Sequence, residues 1–270
     1  MSFTRHDQGG LVYHTSSLLA VPHAFTTRLG GVSEGPYASL NLRFSCDDRR
    51  ENVTENYRRL CAAIGIDAER GVPTHQLHHD HIRVVTEEDA GQIFRPQRYE
   101  DVDALITDVP ELPLFVYSAD CGITLLHDPV TRCIGAVHSG WRGVALGILP
   151  KTVQEMGRRF GARPEDIRLA MGASICQDCF ETDDDVPEAM RAAMGAAAEP
   201  FMQRRGAKWH VDLRGINVFR LKELGIREEQ LELLPLCTAC HPELYWSHRR
   251  TGGNRGVQGA VIALPGGGRA

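Results

Sequence analysis

A cysteine and a histidine stand at the ends of two apolar stretches in the middle of the chain, where side chains able to ligate a metal or attack a carbon are well placed to act. The first stretch reads Leu112-Pro-Leu-Phe-Val-Tyr-Ser-Ala-Asp120-Cys121-Gly122. After Ile123-Thr-Leu-Leu-His127-Asp-Pro, the second reads Cys133-Ile-Gly-Ala-Val-His138-Ser-Gly140-Trp-Arg142-Gly143. A Cys followed by Gly at a strand end admits a ligand closely, and a His before Ser-Gly-Trp-Arg-Gly sits where a strand hands over to a helix. Taken singly, Cys121 reads as well as a small core residue, and His138 as a hydrogen-bonded turn residue. The run His75-Gln76-Leu77-His78-His79-Asp80-His81 packs four His into seven residues. It fits a solvated surface, an adventitious metal binder or one true ligand among bystanders, and spacing does not choose between them. Joined to Cys121 and His138, however, His78 completes two imidazoles and a thiolate, a set that suits zinc or copper. Three protein ligands leave a position open, which separates a catalytic zinc site from a closed structural one. The competing chemistry makes Cys121 a nucleophile activated by a nearby His.

Two further pairs, Cys176-Gln-Asp-Cys179 and Cys237-Thr-Ala-Cys240, have the Cys-x2-Cys form of a zinc knuckle. Tetra-Cys sites usually separate their pairs by roughly 15 to 20 residues, whereas 57 lie between Cys179 and Cys237. The gap argues against a shared structural zinc. Neither pair sits in a recognisable strand-to-helix redox motif.

These groups need strands and helices to hold them. Alternating or continuous apolar runs bounded by turn residues predict strands at 12–15, 23–27, 82–86, 104–107, 114–118, 123–126 and 133–138. A second set follows at 167–172, 209–213, 231–234 and 257–264. Val53, Tyr57, Leu60 and Ile64 recur at helical spacing after the capping candidates Asp47 and Asp48, which predicts a helix over 49–65. Others are expected at 141–160, 185–196 and 214–224, with Pro150 making the first of these begin late, end early or kink. The elements do not alternate strictly, so the expected architecture is α/β of the α+β type: mixed sheets flanked by helices, in one domain over 1–270.

Composition narrows the function classes. The chain is 42% hydrophobic and 24% charged, with 30 Lys and Arg against 35 Asp and Glu, a net charge of −5. That balance exerts no pull toward phosphate backbones or anionic lipid, so neither nucleic acid nor membrane is expected as a partner. No secretion signal or 18-residue apolar run is evident, and the eight Cys are read as thiols or metal ligands of a cytoplasmic protein rather than a disulfide framework. Oligomeric state is not legible.

Six motifs in fixed order carry a specific resemblance. Phe25-Thr-Thr-Arg-Leu-Gly-Gly-Val-Ser33, Ser39-Leu-Asn-Leu42, Gln76-Leu-His78, Ser118-Ala-Asp-Cys121, His138-Ser-Gly-Trp-Arg-Gly143 and Cys237-Thr-Ala-Cys240 together resemble the YfiH/YlmD family. These are laccase-domain, multicopper polyphenol oxidase-like proteins associated with purine nucleoside phosphorolysis and adenosine deamination. The likeness spans about residues 20 to 264. It implies that His78, Cys121 and His138 ligate the metal, zinc or alternatively copper, of a pocket for purine nucleosides and phosphate. It also implies that Arg28, Asn41 and Arg142 line that pocket. Phosphate would then rest on Arg28, Arg142 and the backbone amides after Gly140. His79 stands where the family commonly has Gly, and in Tyr245-Trp-Ser-His-Arg-Arg250 His248 stands where an aromatic is usual. The family has also been linked to peptidoglycan editing, which gives the nucleophilic Cys121 a substrate class of its own. If the metal is only structural, the chain is a binding module without turnover. Phenol oxidation needs several coppers, and one three-ligand set does not supply them.

Overall fold

The computed structural model describes residues 2–266. In chain order its strands are β1 (Phe3–Gln8), β2 (Leu11–Ser16), β3 (His23–Thr26), β4 (Val72–Pro73) and β5 (Ile82–Val84). Then come β6 (Ala104–Thr107), β7 (Leu114–Ser118), β8 (Gly122–Asp128), β9 (Cys133–Ser139) and β10 (Arg168–Met171). The last are β11 (Glu181–Thr182), β12 (Met202–Arg205), β13 (Lys208–Val211), β14 (Leu231–Leu233) and β15 (Gln258–Ile262). The α-helices are α1 (Arg50–Ile64), α2 (Trp141–Leu146), α3 (Ile148–Phe160), α4 (Asp185–Met194), α5 (Leu213–Glu223) and α6 (His248–Thr251).

The strands form mixed sheets, as expected. One six-stranded sheet runs β1-β2-β3-β15-β7-β4, a second runs β14-β10-β8-β9-β6-β5, and a small third runs β11-β13-β12. Period-2 side chains explain the layering. Leu114 and Val116 of β7 turn toward Leu105, Leu125 and Ala136 of the second sheet, in a core that both large sheets share. Phe115 between them faces the other way, onto Val53, Tyr57 and Leu60 of α1. On the far face of the second sheet, Ile106, Leu126 and Val137 meet Leu149, Val153 and Met156 of α3. The central strands of both sheets are therefore covered on both faces, which is why they read as continuous apolar runs rather than alternating ones. Each such fully buried Leu, Ile or Phe stabilises the fold by roughly 1.5 to 3 kcal/mol.

Differences from the expected elements have local causes. β1 was absent from the apolar pattern because FTRHDQ forms a largely exposed edge strand. The signal lay in Gly9-Gly10, which close the Gln8/Leu11 pair with φ of 62° and 91°, the positive values a two-residue hairpin requires. Asp47 and Asp48 do not cap α1: Arg49 is the N-cap residue, without a side-chain cap. Asp48 instead accepts hydrogen bonds from Ser33 Oγ at 2.6 Å and Asn41 Nδ2 at 2.8 Å. The single helix expected over 141–160 is two, broken at Gly147 with φ 79°. Pro150 then falls in the first turn of α3, where its missing N–H costs nothing. No helix among the described residues is long and apolar enough to cross a membrane.

Two imidazoles are sealed into the β2/β3 region. Burial, reinforced by Arg5 and His6, pulls His14 down to about 4, and burial likewise lowers His23. An unfolded chain protonates these groups near pH 6.5 while the folded chain resists, so stability is lost as pH falls from about 6.5 toward 4. For His14 the loss is on the order of 2 kcal/mol. Urea midpoints measured from pH 7 to pH 4.5 should fall less steeply for His14→Gln than for the wild type, and equal slopes would exclude His14 as a source of acid sensitivity.

Candidate metal centre

The strand pairings determine which side chains can meet. β4 and β7 are parallel, Val72 opposite Leu114, so the chain leaves both at the same end of the first sheet. From β4 it continues through His75-Gln76-Leu77-His78, and from β7 through Ala119-Asp120-Cys121 into β8 of the second sheet. There β8 pairs antiparallel with β9, Ile123 opposite His138, so Cys121 lies beside the end of β9. His78, Cys121 and His138 thus converge where the chain passes from one sheet to the other. Their ligand atoms all lie within 4.8 Å of one another.

Side chains outside the triad set its geometry. Gln76 of the His-rich run pairs its amide with the Tyr117 backbone, accepting from N at 2.8 Å and donating to O at 2.9 Å, and so extends the sheet by one side chain. Asp103, fully buried just before β6, accepts from three consecutive backbone amides: Leu77 at 3.1 Å, His78 at 3.2 Å and His79 at 3.2 Å. The same carboxylate lies 2.6 Å from His138 Nδ1. Nδ1 is thereby occupied, and Nε2 is left to face the cluster. Burial alone would raise the Asp103 pKa, but His138 and the amides of His79 and Leu77 bring it below the usual value. His78 adopts φ 65°, a left-handed turn held by those amide bonds. Gly140 leaves room for the His78 ring: a Cβ there would stand 2.3 Å from His78 Nδ1 and 3.4 Å from Cys121 Sγ.

Without an ion, the electrostatics favour a Cys121 thiolate paired with a protonated His138, whose proton an ion would displace. Burial would push the Cys121 thiol up, yet the charges and hydrogen bonds of His138 and His78 bring it down to about 6. Burial would lower His138, but the Cys121 thiolate and Asp103 lift it to about 9. A thiolate beside two imidazoles, one oriented by a carboxylate, is the donor chemistry of a divalent zinc or copper site, so the residues present fit such an ion.

Around this cluster lies a cavity of about 750 Å³. His78, Cys121 and His138 line it, with Phe44, Tyr57, Phe94 and Tyr117 as aromatic wall and Arg43, Arg50, Arg95 and Arg255 as cationic wall. Arg28, Asn41 and Arg142 are not among its lining residues. Arg28 is spent on structure, donating to Ala38 O and Pro242 O and lying 3.9 Å over the Trp246 ring. Asn41 is fully buried and braces the wall from behind, accepting from the Arg43 and Val257 amides at 3.0 and 3.2 Å. Arg142 is exposed and stacks on Trp141. His79 turns away to Asp101 at 2.8 Å, so it neither joins the cluster nor narrows it.

Sequence reasoning missed Asp103, Tyr117 and the four cavity arginines. Asp103 has no flanking signature, and only the β5/β6/β9 register sets it opposite His138. Arg255 had a weak signal, a lone cation inside Gly252-Gly-Asn-Arg-Gly256 ahead of a strand.

Comparison with known proteins places these features in context. Residues 22–265 match the family described as multi-copper polyphenol oxidoreductase laccase. A protein of Deinococcus radiodurans named purine nucleoside phosphorylase is 41% identical over 248 residues, covering 92% of this chain and 90% of that one. The crystal structure of the hypothetical protein YfiH from Bacillus licheniformis superposes with a TM-score of 0.91 at 32% identity, over 97% of this chain and 98% of that one. YlmD from Geobacillus stearothermophilus gives 0.91 at 29% identity, over 98% and 100%.

The geometry predicts how the cluster can be disabled without touching a donor atom. Gly140→Ala must displace the His78 ring, and Asp103→Asn removes the charge that orients His138. Each is expected to weaken zinc affinity by about 10- to 100-fold in chelator competition. Wild-type affinity in both variants would mean that these residues do not organise the cluster.

Proposed function

The chain belongs to the multi-copper polyphenol oxidoreductase laccase family, and from that premise we propose that it is a purine nucleoside phosphorylase acting on adenosine and inosine, with adenosine deaminase activity at the same site. The observation that carries this reading is one cavity lined by four arginines, aromatic rings and the His78/Cys121/His138 cluster. Its volume is in the range that encloses a small ligand. The name of the Deinococcus relative supports the same class.

In phosphorolysis a phosphate oxygen bonds to the ribose anomeric carbon as the bond from that carbon to the purine nitrogen breaks; the electron pair leaves with the base, which takes up a proton. Arginines suit the phosphate because their planar donors match its oxygens. Arg255 is the foremost candidate. Its Nε is buried in the cavity wall without a hydrogen-bond partner, a donor that a bound anion would satisfy. Phe44, Phe94 and Tyr117 offer rings against which a purine can stack. His78, Cys121 and His138 would hold zinc, with copper as the alternative, and a bound ion supplies Lewis acidity to the atoms reacting beside it. Asp103 and Gln76 keep those ligands in place. In deamination the oxygen of water bonds to the purine carbon that carries the amine, and ammonia leaves.

A second reading has its own observation. Cys121, His138 and Asp103 also form a thiolate nucleophile, a protonated imidazole that can pass its proton to a leaving group, and an orienting carboxylate, with the thiol at about 6. Without metal, that set supports an amidase acting on peptidoglycan precursors. Metal content and chelator sensitivity separate the two readings, because a metal-bound thiolate is not a free nucleophile.

Zinc-loaded protein given adenosine and phosphate is expected to release adenine and ribose 1-phosphate, with some inosine formed directly, as read by chromatography. Cys121→Ala should abolish both products. Arg255→Met should raise the KM for phosphate at least about tenfold, the effect of losing a charge-assisted hydrogen bond. If Cys121→Ala keeps both its metal and full turnover, the reaction occurs elsewhere.

A further inference from the structure

We propose that Cys176, Cys179, Cys237 and Cys240 form a second metal centre, a tetrathiolate structural zinc site that cross-links the two loops leaving β10 and β14. The 57-residue gap that argues against such a site in the sequence is no obstacle in the fold. β10 and β14 are parallel neighbours, Leu169 opposite Leu231 and Met171 opposite Leu233. Everything between them, from β11 through α5, is the crossover that parallel strands require. The two chains therefore leave the sheet side by side, and Cys176 follows Met171 by five residues as Cys237 follows Leu233 by four.

The four sulfurs have the dimensions of a zinc site. All lie within 4.8 Å of one another, and Cys179 Sγ stands 3.5 Å from Cys240 Sγ. Tetrahedral coordination at a Zn–S distance of about 2.3 Å sets sulfurs about 3.8 Å apart. Each Cys-x2-Cys is folded by a turn, Phe180 N donating to Cys176 O at 2.9 Å and His241 N to Cys237 O at 3.1 Å. The Cys176 amide points across the junction to Cys237 Sγ at 3.2 Å. Four thiolates around a divalent ion carry a net charge of −2, and cations stand ready to offset it. Arg214 ties both loops, donating to Ser174 Oγ at 2.9 Å and to Leu234 O at 3.0 Å. Arg249 donates to Cys179 O at 2.9 Å, and Arg250 to Ala239 O at 3.0 Å. The apolar cluster of these irregular loops is small, comprising Ile175, Cys237 and Ala239, with Cys176, Cys179 and Phe180 packed against it.

The cross-link also reaches the first cluster. Asp120, the residue before Cys121, sits at φ 92°. Its backbone O accepts from Ile175 N at 2.9 Å, its Oδ1 from Thr238 Oγ1 at 2.6 Å and its Oδ2 from Arg249 N at 2.7 Å. Ile175 and Thr238 adjoin Cys176 and Cys237, so a zinc joining the pairs would steady the turn that presents Cys121.

Metal analysis of the full-length chain after zinc loading tests the site. A His78→Ala/Cys121→Ala variant should keep one zinc per chain, and replacing that zinc with cobalt(II) should give the sulfur-to-metal charge-transfer absorption of a tetrathiolate. Adding Cys179→Ser/Cys240→Ser should remove the remaining ion and lower Tm. Should that variant fail to fold, titration of the His78→Ala/Cys121→Ala protein with an organomercurial tests the same point, with its one zinc expected to be released as the four thiols of the two pairs react. No zinc in the His78/Cys121 variant, four freely reactive thiols, or a mass lower by the hydrogens of one or two disulfides would each overturn the proposal.

Discussion

The carboxylate of Asp103 is the point on which the site depends. It is fully buried and would be costly there if unpaired, but three successive amides of the 77–79 turn and the His138 ring surround it. Its backbone is engaged as well, accepting from His138 N at 2.9 Å and donating to His81 O at 3.1 Å. One residue thereby joins the His-rich loop, the start of β6 and the end of β9. The donors it gathers are mostly backbone groups, so the loop's path matters more than the identity of its side chains.

A second carboxylate, Asp120, does for Cys121 what Asp103 does for the imidazoles. Its three partners come from the segments after β10 and β14 and from the start of α6. The thiolate is thus presented by contacts about 55 to 130 residues away in sequence. This accounts for motif residues near the C-terminus that do not line the cavity around the triad: Tyr245 and Trp246 are buried, Ser247 caps α6, and Arg249 and Arg250 tie loops together. Arg28 belongs with them, since its guanidinium is consumed by carbonyls and by Trp246.

The family's name describes a copper oxidase, but the cavity offers one His2Cys set surrounded by arginines and aromatic rings. Multicopper chemistry needs several ions close together, whereas an anion and a flat base need cations and rings. The other donor groups among the described residues are the tetra-Cys cluster and a surface group of His79, His81 and Asp101, and none of these residues lines the cavity.

Much of the fold was legible because strands covered on both faces are apolar throughout, and β6 and β7 have the bounds that the apolar runs predict. Strands β1 and β11 lack that pattern because their side chains are largely exposed, and β4 is buried but only two residues long, too short to show a pattern. The triad of ligand-capable residues was legible from residue type, strand ends and ordered motifs, which are local properties. Asp103, Arg255 and the meeting of the two Cys-x2-Cys pairs were not, because each depends on register: a parallel pair sets two loops side by side whatever the length of chain between them. The residues outside the cavity make the same point, for Arg28 and Asn41 carry the motif but their hydrogen-bonding capacity is used within the fold. Sequence alone brought out the ligand-capable residues and the mixed sheets flanked by helices, through side-chain chemistry and periodicity. Only the tertiary structure decided which donors share a cavity and which cations face it, because strand register and the burial of polar groups are settled by contacts far apart in the chain.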